Sequence, residues 1–406
     1  MLHMDGMDDI FIKGARLRGK DELYSIYIQN GKIISIKEAG ETQKAQIEID
    51  AKGRLVTESY VIAHVHLDKV GTWDIAGDTA VRAYHRMDNS SAKDAIMMAS
   101  KVKASYTVES VKERASRYLM LAKKYGVSHI RAFADVDTKA KLMAVDALCE
   151  LREQLKSEIS IQVVAFPQDG VIMEPGAEEL VRKALDQGAD VVGGIPWIER
   201  TEEDQRAHIQ KMINLAVEYN KPVAMLVDDA ANKELHTVEM LAEMAHRAGL
   251  DGRVEACHAR ALQLYDDSRL REVAQKIRTA GMGLVTDPHT GPLHIPVEKL
   301  ARYGVDIAIG QDDCSDAYYP YGRCKMTEVA FLASHLLWRM DYEGVDRIYD
   351  MVTTSPARII GVNDFGLKAG NTANLVILPA KSVMEALTFQ VEPDYVVSQG
   401  HLTLRR

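Results

Sequence analysis

The sequence predicts an α/β protein, a TIM-type (β/α)8 barrel with a small β-sandwich built from both termini. Three observations support this fold class. Short apolar segments alternate with amphipathic ones through the middle of the chain, both ends alternate apolar and polar residues, and polar residues follow the apolar segments. Because such barrels carry their catalytic groups at the carboxyl ends of the strands, the third observation also indicates where a site would lie.

Each end of the chain has the pattern of antiparallel strands. Apolar and polar residues alternate from Asp8 to Ile49, and Asn30-Gly31 is a strong hairpin signal within that stretch. The same alternation returns in residues 374–380 and 395–406. We therefore predict that the two ends form one small β-domain.

The middle of the chain has the pattern of buried parallel strands joined by helices. The eight apolar segments are residues 61–69, 128–136, 161–168, 190–196, 222–229, 253–259, 283–289 and 306–313. Near-continuous apolar strands are typical of a parallel sheet covered on both faces, and eight of them close a barrel. We predict a barrel domain at residues 59–361 and a composite sandwich from residues 1–58 with 362–406.

Composition and charge narrow the functional classes. Of 406 residues 47% are hydrophobic, and 50 basic against 59 acidic residues give a net charge of -9. This balance disfavours nucleic acid as a partner. The chain has no apolar run of about 18 residues and no secretory pattern, so we expect neither membrane insertion nor secretion. Four scattered cysteines suit the reducing cytoplasm, where we expect the protein.

His64 and His66 are the most distinctive local pair. Alternate residues of a strand point to the same face, so both imidazoles can converge at the end of the first barrel strand. Two such imidazoles can bind one divalent cation, although two solvated or hydrogen-bonded histidines would give the same pattern. Their position at the end of an apolar segment favours the metal site.

Other polar side chains end later barrel segments. His258 ends the sixth, where an imidazole could polarise a carbonyl group or transfer a proton. Asp312 and Asp313 end the eighth; one carboxylate could bind the metal and accept a proton, while the other caps the following turn. Gln168 ends the third, and its carboxamide suits the edge of a lactam-like ring, although a loop glutamine is usually solvated.

Several motifs together resemble the amidohydrolase superfamily, in particular its cytosine deaminase branch, which is similar to N-isopropylammelide amidohydrolase. They are HVHLDK, VVAFPQDG, VVGGIPW, the histidine after the sixth strand, GQDDCSDAYYPYG and SPARIIGV. The resemblance implies a barrel beside a sandwich made of both termini. It also implies hydrolysis of a ring C–N bond by a water that one Zn or Fe ion activates. The implied partners are a small nitrogen heterocycle and, because relatives form oligomers, further copies of the chain.

The resemblance also assigns roles to individual residues. The metal ligands that it implies are His64, His66 and Asp312. Asp312 would in addition accept a proton, and His258 would orient or polarise the substrate. Gln168 and Tyr318 would contact the substrate ring. Asp229 stands where the family has the acid that transfers protons to the ring.

The chain departs from the family pattern at the fifth strand. The family has an HxxE motif there, whose histidine binds the metal, and this chain has Leu226 at the histidine position and Asp229 at the acid position. Phe133 replaces a histidine of the second strand, and Asn374 replaces an aspartate in a late turn. Since leucine cannot bind a metal, we expect the cation to be weakly bound or absent.

These departures leave three alternatives. The first is a working metal site in which Asp228, Asp229 or His289 supplies a replacement ligand. The second is a degenerate, metal-poor barrel that binds a heterocycle or a protein partner without catalysis. The third is a metal-independent enzyme that uses the remaining acids and His258. We favour a heterocycle deaminase, with residues 73–86 as a segment that could gate its pocket.

Overall fold

The computed structural model describes residues 9–40, 42–78, 81–82, 96–97 and 99–405. The predicted gating segment, residues 73–86, lies partly outside these ranges. Within them the strands form two eight-stranded sheets, one from the two ends of the chain and one from its middle.

The terminal sheet joins both ends of the chain. Its strands are β1 (Ile10–Arg16), β2 (Leu23–Gln29), β3 (Lys32–Glu38), β4 (Ile47–Asp50), β5 (Leu55–Glu58), β14 (Leu375–Leu378), β15 (Tyr395–Ser398) and β16 (His401–Arg405). Their order is β16-β15-β14-β5-β1-β2-β3, with β4 beside β1. β4 and β5 pair with β1 in parallel, so the sheet is mixed and the expectation of antiparallel strands throughout was wrong for these two pairs. The predicted turn between β2 and β3 has positive φ at Asn30 (50°) and Gly31 (73°), as a type I′ hairpin requires. The inward side chains form an apolar core of their own.

The middle of the chain forms the predicted barrel. Its strands are β6 (Tyr60–Val65), β7 (Val127–Asp135), β8 (Ser160–Phe166), β9 (Val191–Gly194), β10 (Val223–Val227), β11 (Val254–His258), β12 (Gly283–Thr286) and β13 (Ile307–Ile309). All neighbours pair in parallel and in sequence order. The fold class predicted from the patterning is therefore confirmed.

Helices lie between the successive barrel strands and after the last of them, and one lies between β14 and β15. They are α1 (Trp73–Ala76), α2 (Val108–Lys124), α3 (Met143–Leu155), α4 (Ala177–Asp186), α5 (Glu202–Glu218), α6 (Thr237–Arg247), α7 (Asp267–Thr279), α8 (Val297–Arg302), α9 (Met326–Leu336), α10 (Tyr342–Asp350), α11 (Thr354–Ile359) and α12 (Val383–Thr388). One apolar core fills the space between helices and strands, and a second lies inside the barrel.

The barrel closes where its first and last strands meet. Val65 and Asp312 form a parallel bridge, and the amides of Gln311 and Asp312 both donate to the carbonyl of His64 at 3.0 Å. The amide of His66 donates in turn to the carbonyl of Asp312 at 2.9 Å. The closure therefore uses the backbone of the residues that the sequence predicts as metal ligands.

The two sheets meet at one short connection. β5 ends at Glu58 and β6 begins at Tyr60, so a single residue, Ser59, separates the terminal sheet from the barrel. On the return, α11 ends at Ile359 and β14 begins at Leu375. These limits lie next to the domain boundaries that the sequence predicts, which we keep as a proposal.

Candidate active site

Three histidines surround one carboxylate oxygen at the carboxyl ends of β6, β11 and β13. The Nε2 atom of His64 lies 3.2 Å from Asp312 Oδ1, and the Nε2 atoms of His66 and His258 each lie 3.9 Å from it. All four residues are at most 4% exposed. The convergence that the sequence predicted for these residues is thus present in the structure.

The backbone aims these side chains at the strand ends. His64 and His66 alternate along an extended segment, whereas His258 (φ 69°) and Asp312 (φ 62°) adopt the left-handed conformation. Non-glycine residues in that region cost about 1–3 kcal/mol and cluster at functional sites. Thr290 Oγ1 donates to Asp312 Oδ2 at 2.8 Å, which leaves Oδ1 directed at the imidazoles.

Burial and neighbouring charges set the protonation of this cluster. Burial would raise the pKa of Asp312, but His258 and the hydrogen bond from His64 hold that pKa well below its usual range. Burial, reinforced by the Lys69 ammonium, lowers the pKa of His66, and burial lowers the pKa of His258 to about 4. Burial would lower the pKa of His64, but its hydrogen bond to Asp312 raises that pKa. His64 must therefore release any proton that it carries when a divalent cation binds, because imidazoles bind metals in their neutral form.

A small cavity lies above the cluster and brings the other predicted site residues together. Gln168, Asp229 and Tyr318 line it, and Gln168 Nε2 donates to Tyr318 Oη at 3.5 Å. The Oε1 atom of Gln168 and the Nε1 atom of Trp197 are buried there without a hydrogen-bond partner among the described residues. The cavity therefore offers one acceptor and one donor to a bound ring.

The structure separates the candidates for a replacement ligand. Leu226 lines the cavity and presents only carbon. The Asp228 carboxylate accepts three hydrogen bonds at the start of α6, from Thr237 N, Thr237 Oγ1 and Val238 N, at 2.6–3.0 Å. The Nε2 atom of His289 is hydrogen-bonded to the Gln311 carbonyl at 3.2 Å, and its ring contacts a tyrosine. Neither Asp228 nor His289 belongs to any of the metal-binding clusters found in the described residues.

Asp229 forms an ion pair with Arg260, a residue that none of the sequence motifs indicated. The Nε atom of Arg260 lies 2.9 Å from Asp229 Oδ1, and its Nη2 atom donates to Thr290 Oγ1 at 2.9 Å. Gly291 makes room for this guanidinium, since a Cβ there would lie 1.9 Å from Arg260 Nη1. The only signal for Arg260 in the sequence is that it lies two residues after His258.

Two further ionisable residues, Asp287 and Lys69, contact the Nδ1 atoms of His258 and His66. Burial and the nearby Asp312 carboxylate raise the pKa of Asp287 to about 8. Asp287 Oδ2 lies 3.4 Å from His258 Nδ1, and Lys69 Nζ lies 3.4 Å from His66 Nδ1 while it pairs with Asp135. Both stand in segments already recognised as strand ends, TDPH and HVHLDK. Asp287 stands at the end of the seventh apolar segment, as the other polar site residues do in their segments. That position is the signal that could have indicated it.

The donor set fits a single divalent cation. The ligand atoms of His64, His66 and Asp312 all lie within 4.8 Å of one another. In a tetrahedral zinc site with bonds of about 2.0–2.1 Å, ligand atoms stand about 3.3 Å apart. The observed separations of 3.2 and 3.9 Å between imidazole nitrogens and Asp312 Oδ1 are close to that value.

A more spacious groove lies elsewhere, on the outside of the barrel. It encloses about 400 Å³ between α8 and the α9–α10 pair and is lined by residues such as Pro296, Leu337 and Arg339. All the histidine, cysteine and acid clusters of metal-binding type found in the described residues lie inside the barrel instead. The chemistry therefore belongs to the barrel mouth.

Comparison with known proteins decides the family. The model of the "Amidohydrolase family" matches residues 48–403, most of the chain. The chain belongs to the amidohydrolase family. Members of this family typically bind a divalent metal, in agreement with the donor set described above.

Individual relatives of this amidohydrolase cover nearly its whole length. It is 31% identical to the N-isopropylammelide isopropyl amidohydrolase of Pseudomonas sp. (strain ADP), over 98% of this chain and 97% of the relative. It is 27% identical to the pterin deaminase of Rhizobium rhizogenes, over 92% and 86%. The 5-methylcytosine deaminase of Klebsiella pneumoniae, solved with 5-fluorocytosine, superposes with a TM-score of 0.89 at 30% identity, over 98% and 97%.

These relatives establish the broad reaction class. This amidohydrolase is a hydrolase that acts on C–N bonds, and the three relatives named above carry the names of enzymes that act on small heterocycles. In the part of the chain that the structure describes, no helix has both the length and the apolar character needed to cross a membrane.

Proposed function

We propose that this amidohydrolase hydrolyses an exocyclic C–N bond of a small nitrogen heterocycle and releases ammonia or an amine. The observation that carries the proposal is the position of His66, His258 and Asp312 in the wall of a cavity that Gln168, Tyr318 and Asp229 also line. His64 contacts Asp312 from outside that cavity lining. The names of the relatives, which include an N-isopropylammelide amidohydrolase, a pterin deaminase and a 5-methylcytosine deaminase, support the choice of substrate class.

We assign His64, His66 and Asp312 as residues that would hold one divalent metal, Zn or Fe. Such an ion, when bound, acts as a Lewis acid and lowers the pKa of a bound water. The protein contributes a dry site, because all three side chains are buried, and a carboxylate whose second oxygen is fixed by Thr290. The family's metal preference for Zn or Fe remains a proposal for this chain.

The substrate ring is held by polar groups of the cavity wall. Gln168 Oε1 can accept a hydrogen bond from a ring N–H, and Trp197 Nε1 can donate one to a ring oxygen or nitrogen, since both atoms lack partners among the described residues. Tyr318 borders the same space. A ring edge that carries one donor and one acceptor, as in a lactam, satisfies both groups.

Two carboxylates can move the protons that hydrolysis requires. Water adds its oxygen to the ring carbon, the C–N bond breaks, and the nitrogen leaves with a proton that the water supplied. Asp312 borders the cavity and is ionised, so it can accept that proton. Asp229 faces the same cavity, where Arg260 fixes its carboxylate, and it can stabilise an N–H of the ring in the transition state.

We keep the remaining expectations from the sequence as parts of this proposal. They are a homo-oligomeric assembly, a cytoplasmic location and the absence of a nucleic-acid role, the last supported by the net charge of -9. The competing function is that of a non-catalytic relative that binds a heterocycle or a protein without hydrolysis.

The test is product release from a panel of amino- and alkylamino-substituted triazines, pyrimidines and pterins. Protein is supplied with Zn, Fe or Mn, and ammonia or amine is quantified together with the melting temperature. We expect turnover of at least one ring class, and its loss in Asp312→Asn. A heterocycle that raises the melting temperature of metal-supplied protein without product release would refute hydrolysis and support the binder.

A further inference from the structure

His258, the histidine that ends the sixth barrel strand, lies among the proposed metal ligands. Its Nε2 atom lies 3.9 Å from Asp312 Oδ1, the same distance that separates His66 Nε2 from that oxygen. The ring centroids of His64 and His258 are 5.1 Å apart, against 5.0 Å for His64 and His66, with interplanar angles of 90° and 82°. The Nε2 atom of His258 is therefore as close to Asp312 as that of His66, and its ring is about as close to the ring of His64.

The fifth barrel strand supplies no metal ligand at the position where the family motif has a histidine. Leu226, at the position where the family motif has its histidine, lines the same cavity as His258 and offers no lone pair. Its neighbour Val227 pairs with His258 across β10 and β11. The third imidazole at the cluster thus comes from the strand next to the one that lost its histidine.

The backbone of His258 is bent toward the cluster. His258 and Ala259 both have positive φ, 69° and 48°, so two successive residues in the left-handed region end β11. Such conformations persist only where the surroundings impose them. The residue is only 2% exposed, so its imidazole is held inside the barrel mouth.

Asp287 supplies the outer contact that metal-binding histidines usually have. Ligating histidines almost always donate their second N–H to a carboxylate, a carbonyl or water. The Oδ2 atom of Asp287 lies 3.4 Å from His258 Nδ1, and neither oxygen of Asp287 has a hydrogen-bond partner among the described residues. Gly310 leaves space for this carboxylate, because a Cβ there would lie 2.3 Å from Asp287 Oδ1.

We propose that His258 replaces the missing fifth-strand histidine as the third imidazole ligand of the metal, and that Asp287 orients it. The full ligand set is then His64, His66, His258 and Asp312. This assignment rests on the divalent-metal site of the proposed function but not on its substrate. It changes the expected role of His258 from contact with the ring to coordination, and it predicts tight rather than weak metal binding.

Zinc affinity and stoichiometry of the full chain test the ligand set. Protein is stripped with a chelator, reloaded with Zn²⁺, and titrated against a chromophoric competitor. We expect one equivalent in the wild type, a loss of affinity above about 100-fold in His258→Gln, and a loss of about 10–100-fold in Asp287→Ala. His289→Gln is the matched control, a nearby histidine outside the set, and should bind zinc like the wild type.

A second measurement on the wild type guards against a variant that fails to fold. In the Co²⁺-loaded protein, the strongly shifted exchangeable N–H signals of coordinated imidazoles can be counted by proton NMR. We expect three such signals, and two would overturn the assignment of His258. The double variant His258→Gln with Leu226→His should regain the third signal and most of the zinc affinity.

The outcomes separate the two proposals. Wild-type affinity in His258→Gln would overturn the ligand assignment, whether or not the protein turns over a heterocycle. One tightly bound equivalent that depends on His258, without turnover of any ring in the panel, would overturn the proposed function alone. A wild type that binds no metal under reloading would overturn this ligand set outright.

Discussion

Replacement of Glu199 tests how one buried carboxylate holds the loop that carries Gln168. Glu199 is 1% exposed and follows β9. Its carboxylate accepts four hydrogen bonds, from Val171 N at 2.8 Å, Ile172 N at 3.0 Å, Met173 N at 3.0 Å and His208 Nδ1 at 2.8 Å. The amide of Ile195 donates to His208 Nε2 at 3.1 Å, so the Nδ1 atom of that ring carries the proton.

The hydrogen bonds of Glu199 determine how much stability its replacement should cost. In Glu199→Gln the carboxamide oxygen can replace Oε1, but its NH₂ group faces the amide of Met173, which loses its acceptor. One orphaned buried donor costs about 1–3 kcal/mol. The remaining hydrogen bonds also weaken, since bonds to an ionised acceptor are roughly twice as strong as neutral ones. We expect the free energy of unfolding to fall by about 3 kcal/mol, and KM for the ring to rise because Gln168 shifts.

The contribution of Glu199 to the free energy of unfolding should decrease as the pH falls. Burial alone would raise the pKa of Glu199, but the hydrogen bonds from His208 and the backbone amides hold it below its usual value. Its charge therefore stabilises the fold above the pKa it has in the unfolded chain, and that contribution disappears as the pH falls through the lower folded-state pKa. The stability gap between wild type and Glu199→Gln should close in acid.

Urea denaturation followed by circular dichroism, repeated from neutral to acidic pH, measures both effects. The matched control is Glu202→Gln, the same chemical change at a side chain that is 60% exposed, which should cost less than about 0.5 kcal/mol. If Glu199→Gln costs no more than Glu202→Gln at neutral pH, or if the gap widens in acid, the reasoning about this carboxylate is refuted.

Three other substitutions probe the surroundings of the metal site. Gly291→Ala places a Cβ 1.9 Å from Arg260 Nη1, so the guanidinium must move. We expect kcat to fall about 10- to 100-fold. An unchanged kcat would exclude Arg260 from the chemistry. Leu226→His in the His258→Gln background adds an imidazole at the fifth-strand position and should raise zinc affinity above that of His258→Gln alone in the chelator titration, so an unchanged affinity would place residue 226 away from the metal. Asp228→Ala removes three hydrogen bonds at the start of α6 and should cost about 1–2 kcal/mol in denaturation with zinc content unchanged; loss of zinc would make Asp228 a ligand.

The sequence predicted the architecture because periodicity carries it. Burial on both faces of the barrel strands and on one face of the terminal strands leaves different patterns, and these patterns predicted the eight barrel strands and a separate terminal β-domain. Strand limits were less exact. The eighth segment was expected to continue to residue 313, but β13 ends at Ile309, because Gly310 and the left-handed Asp312 turn the chain out of the strand.

Convergence at the rim was predictable for a related reason. All parallel barrel strands end at the same rim, so a polar residue that ends any segment must approach the others, as His64, His258 and Asp312 do. Partnerships across the rim were not predictable. The ion pair of Arg260 with Asp229 and the contact of Asp287 with His258 depend on side-chain directions that no local spacing encodes.

The seam between β6 and β13 links folding to chemistry. His64 and Asp312 close the barrel through their backbones while their side chains face one another. A cation bound by both residues would link the first barrel strand to the last, which are 248 residues apart at His64 and Asp312. Metal binding would therefore stabilise the closed barrel as a whole. Loading with metal should then slow hydrogen exchange at the amides of His66, Gln311 and Asp312 more than at the opposite side of the barrel.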